Sequence, residues 1–214
     1  MSNRIIVENV TKRFKKKIVL NHINAEFTSG KITGFVGENG SGKTVLMKLL
    51  IGLMKPSEGR ILYNRKELKK EIDFLPSCGF IIENPGFYDE LTGFENLNLL
   101  ASVQKKISDD EIIRWIQKVG LENSGKRVGE YSLGMRQRLG IAQALMENPE
   151  VVILDEVTNS LDEAGVRLVY TLLEEERKKG KLIIISSHRR DEIDELCDEI
   201  YRFKEGKLLN EIQS

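Results

Sequence analysis

Gly37-Glu38-Asn39-Gly40-Ser41-Gly42-Lys43-Thr44 is a glycine-rich string ending in a lysine and a hydroxyl residue, set between the apolar run Ile32 to Val36 and the helical pattern Val45 to Leu53. A strand, a glycine-rich turn and a helix in that order suit the binding of phosphate. Glycines let backbone N–H groups converge on anionic oxygens without side-chain obstruction, and the helix start turns its positive end to the same anion. Lys43 is suited to neutralise β- and γ-phosphate charge, and Thr44 to offer its hydroxyl to a Mg²⁺ ion bridging those phosphates.

A second group of reactive side chains stands where strands are expected to end. Val151-Val152-Ile153-Leu154-Asp155-Glu156 is an apolar run closed by two carboxylates, and the open ends of parallel strands are where α/β sheets bind ligands. Asp155 is suited to hold Mg²⁺, directly or through water, and Glu156 to orient and deprotonate an attacking water. A strand-ending acid taken alone is more often a loop or cap residue; the cradle beside this pair reverses that weighing. His188 follows the aliphatic run Leu182 to Ile185 and the pair Ser186-Ser187. Alone it reads as structural, whereas beside a γ-phosphate its ring would bond an oxygen and position the water, with Glu156 fixing its tautomer. His22 sits in a strand-like run without a partner motif and is left unassigned.

These groups need a frame, and the pattern supplies one. Short β-rich runs, Arg4 to Glu8 and Ile18 to Phe27, open the chain; the continuous aliphatic runs Val151 to Leu154 and Leu182 to Ile185 suit parallel strands covered on both faces. Val166, Val169, Leu172 and Leu173 recur at helical spacing between them, with Gly180 as the stop. This is βαβ logic, hence an α/β core with a parallel sheet and an N-terminal β part. From about Leu91 to Gly120 the pattern is helical without a strand, started by two capping boxes, Thr92 with Glu95 and Ser108 with Glu111. Residues 88 to about 148 read as a helical lobe inserted into a core made of 1–87 and 149–214. Trp115, Met135 and Met146 in that lobe read as packing residues.

Composition narrows the partners. The 214 residues suffice for one domain with a real core, so one domain spanning 1–214 is expected. Lys plus Arg and Asp plus Glu both total 33, which gives no sign of a nucleic-acid partner. The basic run Lys12 to Lys17 reads as a solvated strand or turn face. No apolar stretch approaches the length of a spanning helix and the start Met-Ser-Asn-Arg lacks a secretory core, so a cytosolic chain is expected. Cys78 and Cys197 have no metal or redox spacing and read as buried thiols.

One more segment decides the family resemblance. Tyr131-Ser132-Leu133-Gly134-Met135-Arg136-Gln137-Arg138 looks like a variant of the LSGGQ signature, and Ser132 with Gly134 opens a second anion-binding helix start. With the cradle at 37 to 44, the acids at 155 and 156, Ser160-Leu161-Asp162 as a D-loop and His188 as a switch histidine, the chain resembles the ABC ATPases from end to end. That resemblance implies the P-loop NTPase fold with an N-terminal antiparallel β subdomain and an inserted α-helical lobe. It implies ATP and Mg²⁺ as cofactors, and a head-to-tail dimer, of two copies or of paired cassettes, with two ATP at its interface. It implies a separate transmembrane permease as partner, with this chain peripheral on the inner face of the cell membrane. Phe14 falls where the family places an adenine-stacking aromatic, with an ordinary packed Phe as the alternative. Asp162 would bear on the opposite site, cap the following helix, or both.

Departures from the family pattern carry information as well. Ile82-Glu83-Asn84-Pro85-Gly86-Phe87-Tyr88 resembles a Q-loop with Glu83 where Gln is usual, leaving a carboxylate able to ligate Mg²⁺ as a third acid opposed mainly by Mg²⁺ and Lys43. Leu133 and Met135 replace small or polar signature residues, and Val157 a frequent Pro. These variants look like those of bacterial exporters for peptide antibiotics and related toxic compounds, so export is the expected direction. The competing readings are a soluble ABC ATPase of a non-transport machine such as cluster assembly, a P-loop kinase, which leaves the signature and His188 unexplained, and a non-enzymatic nucleotide-binding module, against which Glu156 argues.

Overall fold

Strand β3 (Ile32–Val36) is buried at all five positions, as are β7 (Val151–Asp155) and β8 (Leu182–Ser187). Continuous aliphatic runs of this kind belong in a sheet covered on both faces. The computed structural model describes residues 3–122 and 125–211. In it the six-stranded sheet has the order β10-β9-β3-β8-β7-β6, with β6 (Cys78–Ile81), β9 (Glu199–Lys204) and β10 (Lys207–Glu211). Its pairs are parallel from β9 through β6, and β10 runs antiparallel on β9. A second, antiparallel sheet has the order β2-β1-β4-β5, from β1 (Arg4–Phe14), β2 (Lys17–Thr28), β4 (Glu58–Tyr63) and β5 (Lys66–Glu67).

Period-2 alternation sends Val151 and Ile153 to one face of the large sheet and Val152 and Leu154 to the other. On the first face they join Leu46, Leu49 and Leu50 of α1 (Lys43–Ile51) and Ile5, Leu20, Phe27 and Ile61 of the small sheet in one apolar cluster. Helix α1 is thus held between the two sheets. On the second face, Val152, Leu154, Ile183 and Ile185 pack with α2 (Gly93–Gln104), α3 (Asp109–Lys118), α4 (Leu133–Leu145), α5 (Glu163–Lys178) and α6 (Arg190–Leu196). Leu97, Ile112, Ile116 and Leu139 belong to that same cluster, so the helices of the middle segment share a continuous core with the sheet.

Local signals set the ends of these helices. Both capping boxes form: Thr92 Oγ1 accepts from Glu95 N–H at 3.2 Å and Glu95 accepts from Thr92 N–H at 2.7 Å, and Ser108 and Glu111 repeat the arrangement. Strand β1 runs past Glu8 to Phe14 because Asn9, with φ +52°, and two further register shifts bend it along its partner, and this places Lys12 to Lys17 on its end and the following turn. Strands β4, β6, β9 and β10 and helix α6 add to the elements expected from pattern. Their sequences are short and mixed; β4, β6 and β9 pair with β1, β7 and β3 far off in sequence, while β10 closes a hairpin on β9. Among the packing residues, Met146 is buried and Trp115 and Met135 pack partly buried on the core. Desolvation pushes the Cys78 thiol up to about 12 and raises Cys197 as well, so neither cysteine is an exposed nucleophile.

Helix α4 lies against β6 at a distance only glycine permits: a Cβ on Gly79 would stand 1.8 Å from the carbonyl oxygen of Ala144. Gly79→Ala is therefore expected to lower the unfolding free energy by about 2–3 kcal/mol, read as a lower urea midpoint at unchanged slope. An unchanged midpoint would mean that the helix–sheet contact is slack.

Candidate nucleotide-binding and hydrolysis site

Sheet order brings the reactive segments together. Strand β8 lies between β3 and β7, with Val36 paired to Ser187 and Asp155 paired to Ser186. The cradle leaves β3, His188 leaves β8 and the acid pair ends β7, all at the carboxyl edge of the sheet. This is the edge at which parallel α/β sheets bind ligands.

Within the cradle, Gly42 caps α1 with φ +114°, a conformation strained for any residue with a Cβ. Lys43 is 4 % exposed; its Nζ donates to the carbonyls of Gly37 at 2.6 Å and Glu38 at 3.3 Å and lies 3.6 Å from Glu156 Oε1. Ser41 Oγ is buried and has no hydrogen-bond partner among the described residues. An orphaned hydroxyl inside a glycine turn fits an oxyanion as its missing partner. Glu38, Asn39 and Gly40 form the exposed lip of the loop.

Two hydroxyls organise the acids. Thr44 Oγ1 donates to Asp155 Oδ2 at 2.6 Å, and Ser186 Oγ donates to Asp155 Oδ1 at 2.5 Å. The same Ser186 Oγ accepts from the N–H of Glu156 at 3.0 Å, so one buried hydroxyl aims both acids. Glu156 adopts φ +50°, an unfavourable backbone for a residue with a side chain, and Asn159 Nδ2 donates to its Oε2 at 2.7 Å. Glu156 is thus held through both its backbone and its carboxylate. No cluster of three or more His, Cys, Asp or Glu that could hold a metal occurs among the described residues. Mg²⁺ needs only one or two protein oxygens when phosphates supply the rest, and the Thr44 and Asp155 oxygens fit that donor set.

The other sequence-derived residues take varied places. Glu83 is 66 % exposed in its side chain, and its Oε1 is 2.6 Å from Nζ of Lys48 on α1. The charge balance drawn from sequence is corrected here: Lys48 opposes this third acid directly, in addition to Lys43. Phe14 is 42 % exposed at the end of β1, with Lys12 Nζ 5.1 Å from the ring centroid, so it is not a packed core residue. His188 is exposed just past β8. Ser132 caps α4 by accepting from the N–H of Met135 at 3.2 Å, and Asp162 caps α5 by accepting from the N–H of Gly165 at 2.9 Å. A Cβ on Gly134 would stand 2.8 Å from the carbonyl of Ser160, so the signature segment rests against the D-loop of its own chain. His22 bonds Asn9 through Nδ1 at 2.8 Å, in the small sheet. Sequence reasoning missed Ser186, Asn159 and Lys48; the Ser186-Ser187 pair before His188 was the available signal for the first.

Residues 20–159 match the family model described as ABC transporter. The chain belongs to the ABC transporter family. The cassette is 45% identical over 95% of its length to an uncharacterized ABC transporter ATP-binding protein, YybJ, of Bacillus subtilis, covering 94% of that relative. It is 41% identical to the bacitracin transport ATP-binding protein BcrA of Enterococcus faecalis, covering 97% of this chain and 68% of BcrA. It is 37% identical to the lantibiotic transport ATP-binding protein SrtF of Streptococcus pyogenes, covering 96% and 89%. Among solved structures, an ATP binding subunit of an ABC transporter superposes with a TM-score of 0.86 at 26% identity, covering 97% of this chain and 89% of that one. A dimeric bacterial ABC transporter cassette shares the fold, with a TM-score of 0.87 at 23% identity, covering 97% and 98%. The protein is an ATP-binding, ATP-hydrolysing cassette.

Ser186 Oγ joins the Asp155 carboxylate to the Glu156 N–H. Ser186→Ala is expected to lower the rate of ATP turnover about 10- to 100-fold, as loss of an orienting hydrogen bond does around metal ligands. Steady-state phosphate release by the folded variant checks this; turnover at the wild-type rate would remove Ser186 from the orienting role.

Proposed function

We propose that this cassette powers export of a peptide antibiotic or related toxic peptide through a permease carried on a separate polypeptide, at the inner face of the cell membrane where ATP is supplied. The observation carrying the ATP-driven part of the reading is the arrangement of the acid pair and the cradle at one sheet edge, joined through Thr44 and Asp155. The relatives named for bacitracin and lantibiotic transport support the class of cargo.

In the proposed reaction the backbone of residues 37–42, the Ser41 hydroxyl and Lys43 bind the phosphates of ATP. Phe14 offers a stacking face to adenine. Thr44 and Asp155 would hold Mg²⁺, with Glu83 as a further oxygen donor; the ion would supply neutralisation of the phosphate charge. Glu156, held by Asn159 and by the Ser186 contact to its N–H, accepts a proton from the water that attacks the γ-phosphate in line as the bond to the bridging oxygen breaks and ADP leaves. His188 hydrogen-bonds a γ-phosphate oxygen.

The second helix start supports a dimer. One nucleotide has one γ-phosphate, yet this chain carries an exposed Ser132 cap on α4 as well as the cradle on α1. Lending Ser132 and Gly134 to a partner's nucleotide uses both, and the contact of Gly134 with Ser160 carries Asp162 to the same boundary. ATP then acts as glue between two head-to-tail chains, and hydrolysis releases them.

A permease has a place to dock on the helices. Leu99, Leu100 and Val103 expose one apolar face of α2, Val103 at 80 %. No helix among the described residues is long and apolar enough to cross a membrane, which agrees with a conduit on another chain.

Glu156→Gln keeps the carboxylate's shape and its bond with Asn159 while losing the base. Light scattering is expected to show its mass double on adding MgATP, with turnover reduced about 10²- to 10⁴-fold. A persistent monomer that hydrolyses ATP normally would reject both the base and the sandwich.

A further inference from the structure

Lys48 lies four residues after Thr44 on α1, so the two share one helix face about 6 Å apart along the axis. Thr44 faces Asp155, and Lys48 faces Glu83. Strand register brings Glu83 to the same edge: Ile81 pairs with Leu154, and two residues beyond each stand Glu83 and Glu156. Glu83 turns away from the strand line with φ +63°, a conformation L residues rarely adopt, and its carboxylate reaches Lys48 at 2.6 Å. Lys48 is mostly covered, at 22 % exposure of its side chain, while Glu83 remains at 66 %. The lysine is therefore the fixed member of the pair and the glutamate the movable one.

We propose that Lys48 is a positioning residue for Glu83, which holds the carboxylate on the α1 face that also carries Thr44 and competes with Mg²⁺ for it. The inference rests on the reading of Glu83 as a metal donor given above. A third acid beside a polyphosphate raises the local negative charge; pairing it with Lys48 removes that repulsion while nucleotide enters, and a divalent ion, with twice the charge of the ammonium, draws the carboxylate across. The metal's arrival and the position of the segment carrying Glu83 become linked. Because Pro85 lies against Gly140 of α4, whose Cβ would meet the Pro85 ring at 2.5 Å, a shift of Glu83 is felt by the helix that begins at Ser132.

The test uses Mn²⁺ as the probe, with ATP, on the full chain in the Glu156→Gln background so that nothing turns over. Free Mn²⁺ is read by electron paramagnetic resonance. Glu83→Gln is expected to weaken Mn²⁺ binding. Lys48→Met is expected to tighten it about threefold or more by removing the competitor, whereas Lys48→Arg keeps the parent affinity. Adding Lys48→Met to Glu83→Gln is expected to change nothing further. Equal tightening by Lys48→Met with and without Glu83→Gln would show a general charge effect and overturn the proposal. So would unchanged or weakened binding in folded Lys48→Met. No effect of Glu83→Gln alone would show that the carboxylate charge plays no part in metal binding and overturn the proposal, while ATP-dependent doubling of the Glu156→Gln parent would leave the cassette reading standing.

Discussion

A hydrogen bond of 2.6 Å between Thr44 and Asp155 joins residues 111 positions apart, and the site depends on it. It locks the first turn of the cradle helix to the end of the acid strand. A buried carboxylate must be fully bonded or it costs several kcal/mol, and Asp155, at 5 % exposure, is satisfied by Thr44 on one oxygen and Ser186 on the other. The strand order meets that requirement: β8 stands between β3 and β7, so Ser186 reaches one oxygen of the acid while Thr44 of the cradle helix reaches the other.

The rest of the fold holds those two helix and strand ends in place. The small antiparallel sheet presses α1 onto the large one through Leu20, Phe27 and Ile61, which leaves α1 little freedom to slide. On the opposite face, glycines at 79 and 140 allow α4 to settle on β6 and on Pro85. The helix that starts at Ser132 is thereby tied to the segment carrying Glu83, and through Gly134 to the Ser160 carbonyl before Asp162. In the proposed dimer, nucleotide contacts at the cradle and partner contacts at the signature would belong to one packed body, so occupancy of one would be felt mechanically by the other.

How much of this was legible depended on the range of the interaction concerned. The run Ile32 to Val36 is a strand with those same bounds because five consecutive apolar or small residues, rich in β-formers, lead into a glycine turn. The capping boxes at Thr92 and Ser108 were readable because donor and acceptor lie three residues apart. Strand β6 was not, since Cys78-Gly79-Phe80-Ile81 is short, contains a glycine and gains its identity only by pairing with Val151 to Leu154. Lys48 looked like an ordinary helix lysine until the fold brought Glu83 to it. Ser186 was passed over because its two bonds go to residues on a neighbouring strand. Motifs disclosed the reacting groups; the residues that orient them became visible only with the strand order.

We propose that one chain holds two half-sites, a cradle and a signature, and that turnover needs one of each from different chains. Mixing two variants tests it most directly: Lys43→Ala, which spoils the cradle, and Ser132→Arg, which spoils the signature. Each alone is expected to release no phosphate, and the mixture to recover a measurable fraction of wild-type turnover, because a mixed dimer contains one site with both halves intact. Ser132→Arg turning over alone at the wild-type rate, or no recovery on mixing, would contradict the account.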